Sequence, residues 1–200
     1  MHVRLNAILA AFPLLLASAI GNADFEKGQE AYSSGDYETA LTEWQTLADE
    51  GNADAQFGLG LLYANGFGVA MNDDQALKWY GLAAGQSHAD AQANLGVMHA
   101  NGWGVPQSDE EALKWYSLAA EQGILAAQMA VAKMYASDFG PERNFVQAHK
   151  WFNVASELGD YNAASKRDDL TARMPPEQIA EATDLAAAWL ENFRTLQANQ

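Results

Sequence analysis

From residue 53 onward, small and apolar side chains return every three or four positions, the spacing that draws a stripe down one face of an α-helix. Ala55, Leu59 and Tyr63 form one such stripe, and the same positions come back 36 residues later as Ala91, Leu95 and His99, then as Ala127, Val131 and Tyr135. A second stripe follows within each block. Ala76, Trp79, Tyr80, Ala83 and Ala84 recur as Ala112, Trp115, Tyr116, Ala119 and Ala120, and again as Ala148, Trp151, Phe152, Ala155 and Ser156. Residues 53–88 and 89–124 share 21 identical positions. A fixed period of this length marks a tandem array, in which no unit can bury its own apolar face and each must stack on its neighbours. The pattern predicts an all-α solenoid of helix pairs with repeats at 53–88, 89–124 and 125–160, and one core running along the array.

The polar positions punctuate the same register. Asn72, Ser108 and Asn144 each stand three residues before Gln75, Glu111 and Gln147, which predicts a capping box at the start of every second helix. Gly66 and Gly102 fall just past the first helix, where a left-handed residue is wanted, and Gly68 and Gly104 allow a second turn. Gly60 and Gly96 lie inside a helix, at a cost of up to about 1 kcal/mol each, so close approach of a neighbouring helix is expected there. Residues 24–52 read as a shorter N-terminal capping pair: a helix from Phe25 to Ser34, a break at Gly35, Asp36 as N-cap, and a helix from Tyr37 to Glu50. Residues 161–200 read as the C-terminal cap, with a polar helix over 161–172, a break at Met174-Pro175-Pro176, and a long helix from Glu177 to about Leu196.

Residues 1–23 differ from the rest. Arg4 is their only charged side chain, Leu5 to Leu16 is almost wholly apolar, and small residues lead to Gly21-Asn22-Ala23. This is the pattern of a secretory signal peptide, with cleavage expected after Ala23 or, as second choice, Ala19. Pro13 and Asn6 break the apolar run, which is too short for a lasting membrane span. The expected location is therefore periplasmic or secreted, with no membrane insertion after cleavage. The sequence has no cysteine, so neither a lipid anchor on cysteine nor a disulfide is available and the packed core must carry stability. The formal charge is −15, and beyond residue 23 it is −16, from 10 Lys+Arg against 26 Asp+Glu. Such a surface repels phosphate backbones and anionic lipid, which disfavours nucleic acid as a partner.

Residues 53–124 carry the string AxAQxxLGxxYxNGxGVxxxxxxALKWYxxAAxxG, and on it the chain resembles the Sel1-like repeat family, a relative of the tetratricopeptide repeat with a longer internal loop. Residues 125–160 depart from that string at Asp138, Pro141 and His149, which leaves the third loop's conformation open. The resemblance implies an α/α superhelix that binds other proteins, and exported bacterial members often act in the cell envelope. It therefore implies a scaffold or adaptor, working as a monomer on a protein or peptide partner, with a regulatory role one version of this. The alternative is a secreted enzyme or binder acting on β-lactam or cell-wall compounds, which the missing cysteines and the lack of a nucleophile constellation disfavour. In tetratricopeptide-like stacks the first helices line the concave face. By that resemblance the protein-binding positions are Phe57, Leu61 and Asn65, then Asn94, Val97 and Asn101, then Met129 and Lys133, with Phe57, Leu61, Val97 and Met129 as apolar anchors.

Other conspicuous residues have plainer readings. Trp44, Trp79, Trp115 and Trp151 run in phase with the core alanines and are expected to pack. Phe67, Trp103 and Phe139 sit in the loops, where each can tuck over its helix pair or form an exposed contact ridge. His88, His99 and His149 occupy three different repeat positions without a second histidine at helical spacing, so they are read as buried or half-buried histidines and no metal is expected. The carboxylates Asp73-Asp74, Asp109-Glu110-Glu111 and Asp168-Asp169 suit helix N-termini or a solvated cap. No nucleophile turn or phosphate loop appears, so neither catalytic residues nor a cofactor are expected.

Overall fold

The computed structural model describes residues 25–138 and 140–199. Residues 1–23, where a signal peptide is expected, and the loop aromatic Phe139 lie outside the described residues. Helices account for 77% of the described chain: α1 (25–34), α2 (Tyr37–Asp49), α3 (Ala53–Asn65), α4 (Asp73–Gly85), α5 (Ala89–Asn101), α6 (Asp109–Glu121), α7 (Leu125–Ala136), α8 (Phe145–Glu157), α9 (Tyr161–Thr171) and α10 (Pro176–Ala198). The chain divides into two compact units, Met1–His88 and Ala89–Gln200.

In the first unit α3 packs on both α2 and α4. Its core holds Ala40, Trp44, Leu47, Ala55, Leu59, Leu62 and Trp79, with Phe25, Tyr32, Tyr37 and Phe67 packed around it. Trp44 lies 36 residues before Tyr80, so it fills the tyrosine position of the repeat and not the Trp79 position. Small residues make room for it: a Cβ on Gly28 or on Gly58 would come within 2.5 Å of the indole. Gly60 does the same for the Tyr80 ring, which is the close helix approach its place inside α3 predicts.

In the second unit α5 packs on α6, α6 on α7, α7 on α8, and α8 on both α9 and α10. Val131, Trp151, Phe152, Val154, Leu170, Ala186 and Leu190 are buried together in its core. Gly96 faces the Tyr116 ring, with a Cβ there 2.6 Å from the ring edge. The long α10 reaches past α8 to the end of α6, where the Trp189 Nε1–H donates to Glu121 Oε2 at 2.6 Å. Glu121 Oε1 lies 3.3 Å from Lys150 Nζ, and that ammonium sits 4.0 Å above the Trp151 ring. Phe193, stacked on Trp189 at 4.8 Å, fills the space where a Gly123 side chain would be.

The helix starts follow the polar punctuation. Asp36, Asn72, Ser108 and Asn144 each accept a hydrogen bond from the backbone N–H three residues on, and the caps at Asn72, Ser108 and Asn144 contribute about 1 kcal/mol each. The reciprocal half of the expected capping boxes is replaced. The backbone N–H of Asn72, Ser108 and Asn144 donates instead to the carbonyl of Tyr63, His99 and Tyr135, each at 2.9 Å. This bond ties the end of every loop to the first helix of its own repeat. Gly66 and Gly102 are left-handed, at φ 68° and 71°. The third loop leaves by a different route: α7 stops at Ala136, and Ser137 is extended (φ −75°, ψ 139°) where a continued helix would need a left-handed residue at Asp138. It still returns through the Asn144–Tyr135 bond, so α8 keeps the register.

Candidate functional site

Each first helix turns a face away from its second-helix partner, and the expected binding positions divide by how far they serve packing. In the first unit Phe57 and Leu61 are half-buried and Asn65 is exposed. The Phe57 ring stacks on His88 at 4.6 Å and meets Tyr80 at 5.9 Å, while His88 Nε2 lies 3.3 Å from Asp54 Oδ1. In the second unit Asn94 and Val97 are half-buried and Asn101 is exposed. Asn65, Asn94 and Asn101 each donate an amide N–H to the carbonyl four residues back, at 2.9, 2.9 and 2.8 Å, and so hold their side chains against their own helix.

Met129 is a correction. It is 7% exposed and belongs to the core of the second unit, so it is no surface anchor. Position five faces inward in all three repeats: Phe57 is stacked between rings, Ala93 packs against the second unit's core, and Met129 lies inside that core. The flexible thioether chain can fold down where a stiffer side chain would project. Lys133 is exposed and lines two cavities. One, of about 380 Å³, is formed by Lys133, Ala136, Ser137, Phe152, Lys166, Asp169, Leu170 and Arg173. The other, of about 410 Å³, is formed by Ala100, Asp109, Tyr116, Ala130, Lys133, Met134, Ser137 and Gly140.

Trp44, Trp79 and Trp151 are buried, whereas Trp115 is only half-buried. Phe67 tucks back onto Tyr37, ring on ring at 4.5 Å, while Trp103 is 50% exposed. Of the two equivalent loop aromatics, Phe67 thus tucks over its helix pair and Trp103 stays exposed. His149 is buried, its Nε2–H donating to Thr171 Oγ1 at 3.1 Å. That direction follows because the Thr171 hydroxyl itself donates to the Arg167 carbonyl at 2.8 Å. His149 Nδ1 is left buried without a partner, and burial, followed by the nearby Arg167 charge, pushes the His149 pKa below its ordinary value.

One set of buried polar residues escaped the sequence reading. Gln56, Gln92 and Gln128, at the fourth position of each repeat, are almost fully buried. Gln56 and Gln128 donate to the carbonyls of Ala48 and Ala120, at the end of the preceding second helix, at 3.1 and 3.2 Å. The acceptor oxygens of Gln56 and Gln92 are met by Gln86 and Gln122, at 2.8 and 2.7 Å. In the third repeat Leu158 stands at that place, and Gln128 Oε1 is buried with no partner. The signal was present as three glutamines in phase. Their pairing across 30 residues was not legible, because it depends on where the second helix ends in space.

Among the described residues no group of three or more His, Cys, Asp or Glu could hold a metal ion, and no helix is long and apolar enough to cross a membrane. What the arrangement offers is a set of first-helix side chains in each unit and, in the second unit, two open cavities, suited to contact with another molecule.

Stacked helix pairs with glycine-containing loops define a helical-repeat protein. The Sel1 repeat model matches residues 53–88, 89–124 and 125–160, more than half of the chain, and the chain belongs to the Sel1 repeat family. Sel1 repeat proteins are generally protein-interaction scaffolds on a non-catalytic α-solenoid fold. Among solved structures, the chain is similar to a Sel1 repeat protein from Oxalobacter formigenes, at 35% identity and a TM-score of 0.60, over 65% of this chain and 98% of that one. It is also similar to a protective antigen present in uropathogenic Escherichia coli strains, which displays an SLR fold, at 27% identity and a TM-score of 0.50. That match covers 90% of this chain and 48% of the antigen, so this chain spans about half of its length. No curated protein matches the chain.

Proposed function

We propose that this protein is an exported adaptor of the bacterial cell envelope, which captures a protein partner, or an extended segment of one, on its first-helix faces. The observation that carries the reading is the state of Leu61 and Val97. Both are apolar, half-buried residues at position nine of successive first helices, outside the sets of buried core residues. Apolar groups left at a surface in register are better explained by a partner than by water. Export rests on the leader-like residues 1–23, and a role in regulating or assembling an envelope complex follows from the habits of similar exported proteins.

The test is affinity capture from solubilised bacterial envelopes, with the wild type as bait and Leu61→Asp/Val97→Asp as control. The expected result is a protein retained by the wild type and lost from a variant whose helical circular dichroism and melting temperature are unchanged. Unfolding of the variant would show that these residues belong to the core and would overturn the assignment of the surface.

A further inference from the structure

The cavity formed by α7, α8 and α9 is electrostatically out of character with the chain that builds it. The sequence holds 26 acidic against 11 basic residues, yet this cavity is lined by Lys133, Lys166 and Arg173 against the single carboxylate of Asp169. Among the described residues neither Lys133 nor Lys166 is in an ion pair. Arg173 is positioned by the Phe145 ring, its guanidinium carbon 4.8 Å from the centroid. Beneath the cations the floor is apolar, formed by Ala136 and by the otherwise buried Phe152 and Leu170. Lys133 and Ser137 are shared with the adjoining cavity, whose wall includes Tyr116, Ala130 and Met134. Within the second unit a cationic basin thus opens onto an apolar one, each of a size usual for ligand pockets.

Like charges gathered against a low-dielectric wall repel one another, and a ligand carrying carboxylates relieves that repulsion while its apolar neighbours fill the floor. A polyphosphate chain fits poorly, because it has no apolar group to place against Phe152 and Leu170 in one cavity or Tyr116 and Met134 in the other. We infer that these adjoining cavities bind an extended peptide segment of a partner, with acidic side chains at Lys133, Lys166 and Arg173 and an apolar side chain beside Tyr116 and Met134. This rests on the first-helix binding reading above and gives the chemistry of its partner.

The probe is a phage-displayed library of random nonapeptides, selected on the purified full chain. Enriched peptides are expected to carry Asp or Glu next to an apolar residue. A synthetic, fluorescein-labelled copy of one should bind at least tenfold more weakly when its acidic residues become Gln or Asn, and at least tenfold more weakly to Lys133→Glu/Lys166→Glu. Both lysines are exposed, so this variant should keep its helical circular dichroism, and Lys133→Gln/Lys166→Gln should show an intermediate loss with less change in net charge. No enrichment, enrichment without acidic residues, or equal binding to the charge-reversed protein overturns the inference. Any of these results alongside envelope capture that still depends on Leu61 and Val97 leaves the adaptor reading standing, whereas a wild type that captures no protein removes that reading.

Discussion

Gln86 is exposed, yet its carboxamide is what completes the buried Gln56, and it also donates to the Gly51 carbonyl at 2.9 Å. Gln86→Leu would leave the Gln56 acceptor as the third repeat already leaves that of Gln128. A buried unsatisfied acceptor costs about 1–3 kcal/mol, whereas ordinary surface changes stay within about 0.5 kcal/mol. Urea unfolding should show Gln86→Leu losing about 1–2 kcal/mol, with Leu158→Gln changing stability in the opposite direction by up to about 1 kcal/mol, because the half-buried leucine gives up some apolar contact in return. If Gln86→Leu is neutral, the carboxamide pairing contributes nothing. His149 makes a second prediction at this scale. Its pKa is depressed in the folded state by burial and Arg167, against a smaller opposing effect of Asp168. Above its ordinary pKa of about 6.5 both folded and unfolded forms are neutral there and stability is independent of this group. As pH falls below that value the unfolded chain takes up the proton first, so stability declines until the folded histidine is protonated too. His149→Leu, which restores the leucine of the other two repeats, should flatten melting temperature against pH just below 6.5. An unchanged slope would assign the loss to carboxylates.

Helix packing decides which glycines can be improved. Gly81, on α4, has open space around the position of a Cβ, so Gly81→Ala should gain about 0.5–1 kcal/mol from helix propensity alone. Gly60 has the same propensity to recover, but a methyl there would overlap the buried Tyr80 ring. Overpacking costs about 1–3 kcal/mol, so Gly60→Ala should lose stability on balance, and equal gains from both substitutions in urea unfolding would refute the close approach. This pair also marks what could be read from sequence. Two internal glycines in phase signalled close packing, and the capping residues Asn72, Ser108 and Asn144 placed the starts of α4, α6 and α8 to the residue, because both depend on local spacing. The exit from α7, the reach of Trp189 to Glu121 and the inward turn of Met129 were not legible, since each depends on what lies opposite in space. The binding positions were legible only as positions. That Lys133, Lys166 and Arg173 share one cavity required the fold to bring α7 and α9 together around α8.

For the whole molecule the governing quantity is charge. With −15 at neutral pH, carboxylates outnumber the cations available to them. The ion pairs that do form, such as Lys114–Glu111 and Arg143–Asp138, are mostly exposed, and water and salt screen them to little effect. Added salt screens both terms, cutting the Debye length from about 10 Å at 0.1 M to about 3 Å at 1 M. Repulsion summed over a large excess of one sign is longer in range than contact pairs, so its relief should prevail. Raising sodium chloride from about 0.02 to 0.5 M should therefore raise the melting temperature by several degrees, equivalent to about 1–2 kcal/mol for a chain of this size. Potassium chloride should give the same rise, because the effect belongs to ionic strength. A falling melting temperature would mean that contacts such as Lys150–Glu121, where the ammonium is largely covered, outweigh the net repulsion. Binding of an acidic segment at Lys133 and Lys166 should move the other way and weaken with salt, so the fold and the cationic cavity separate by the sign of one titration.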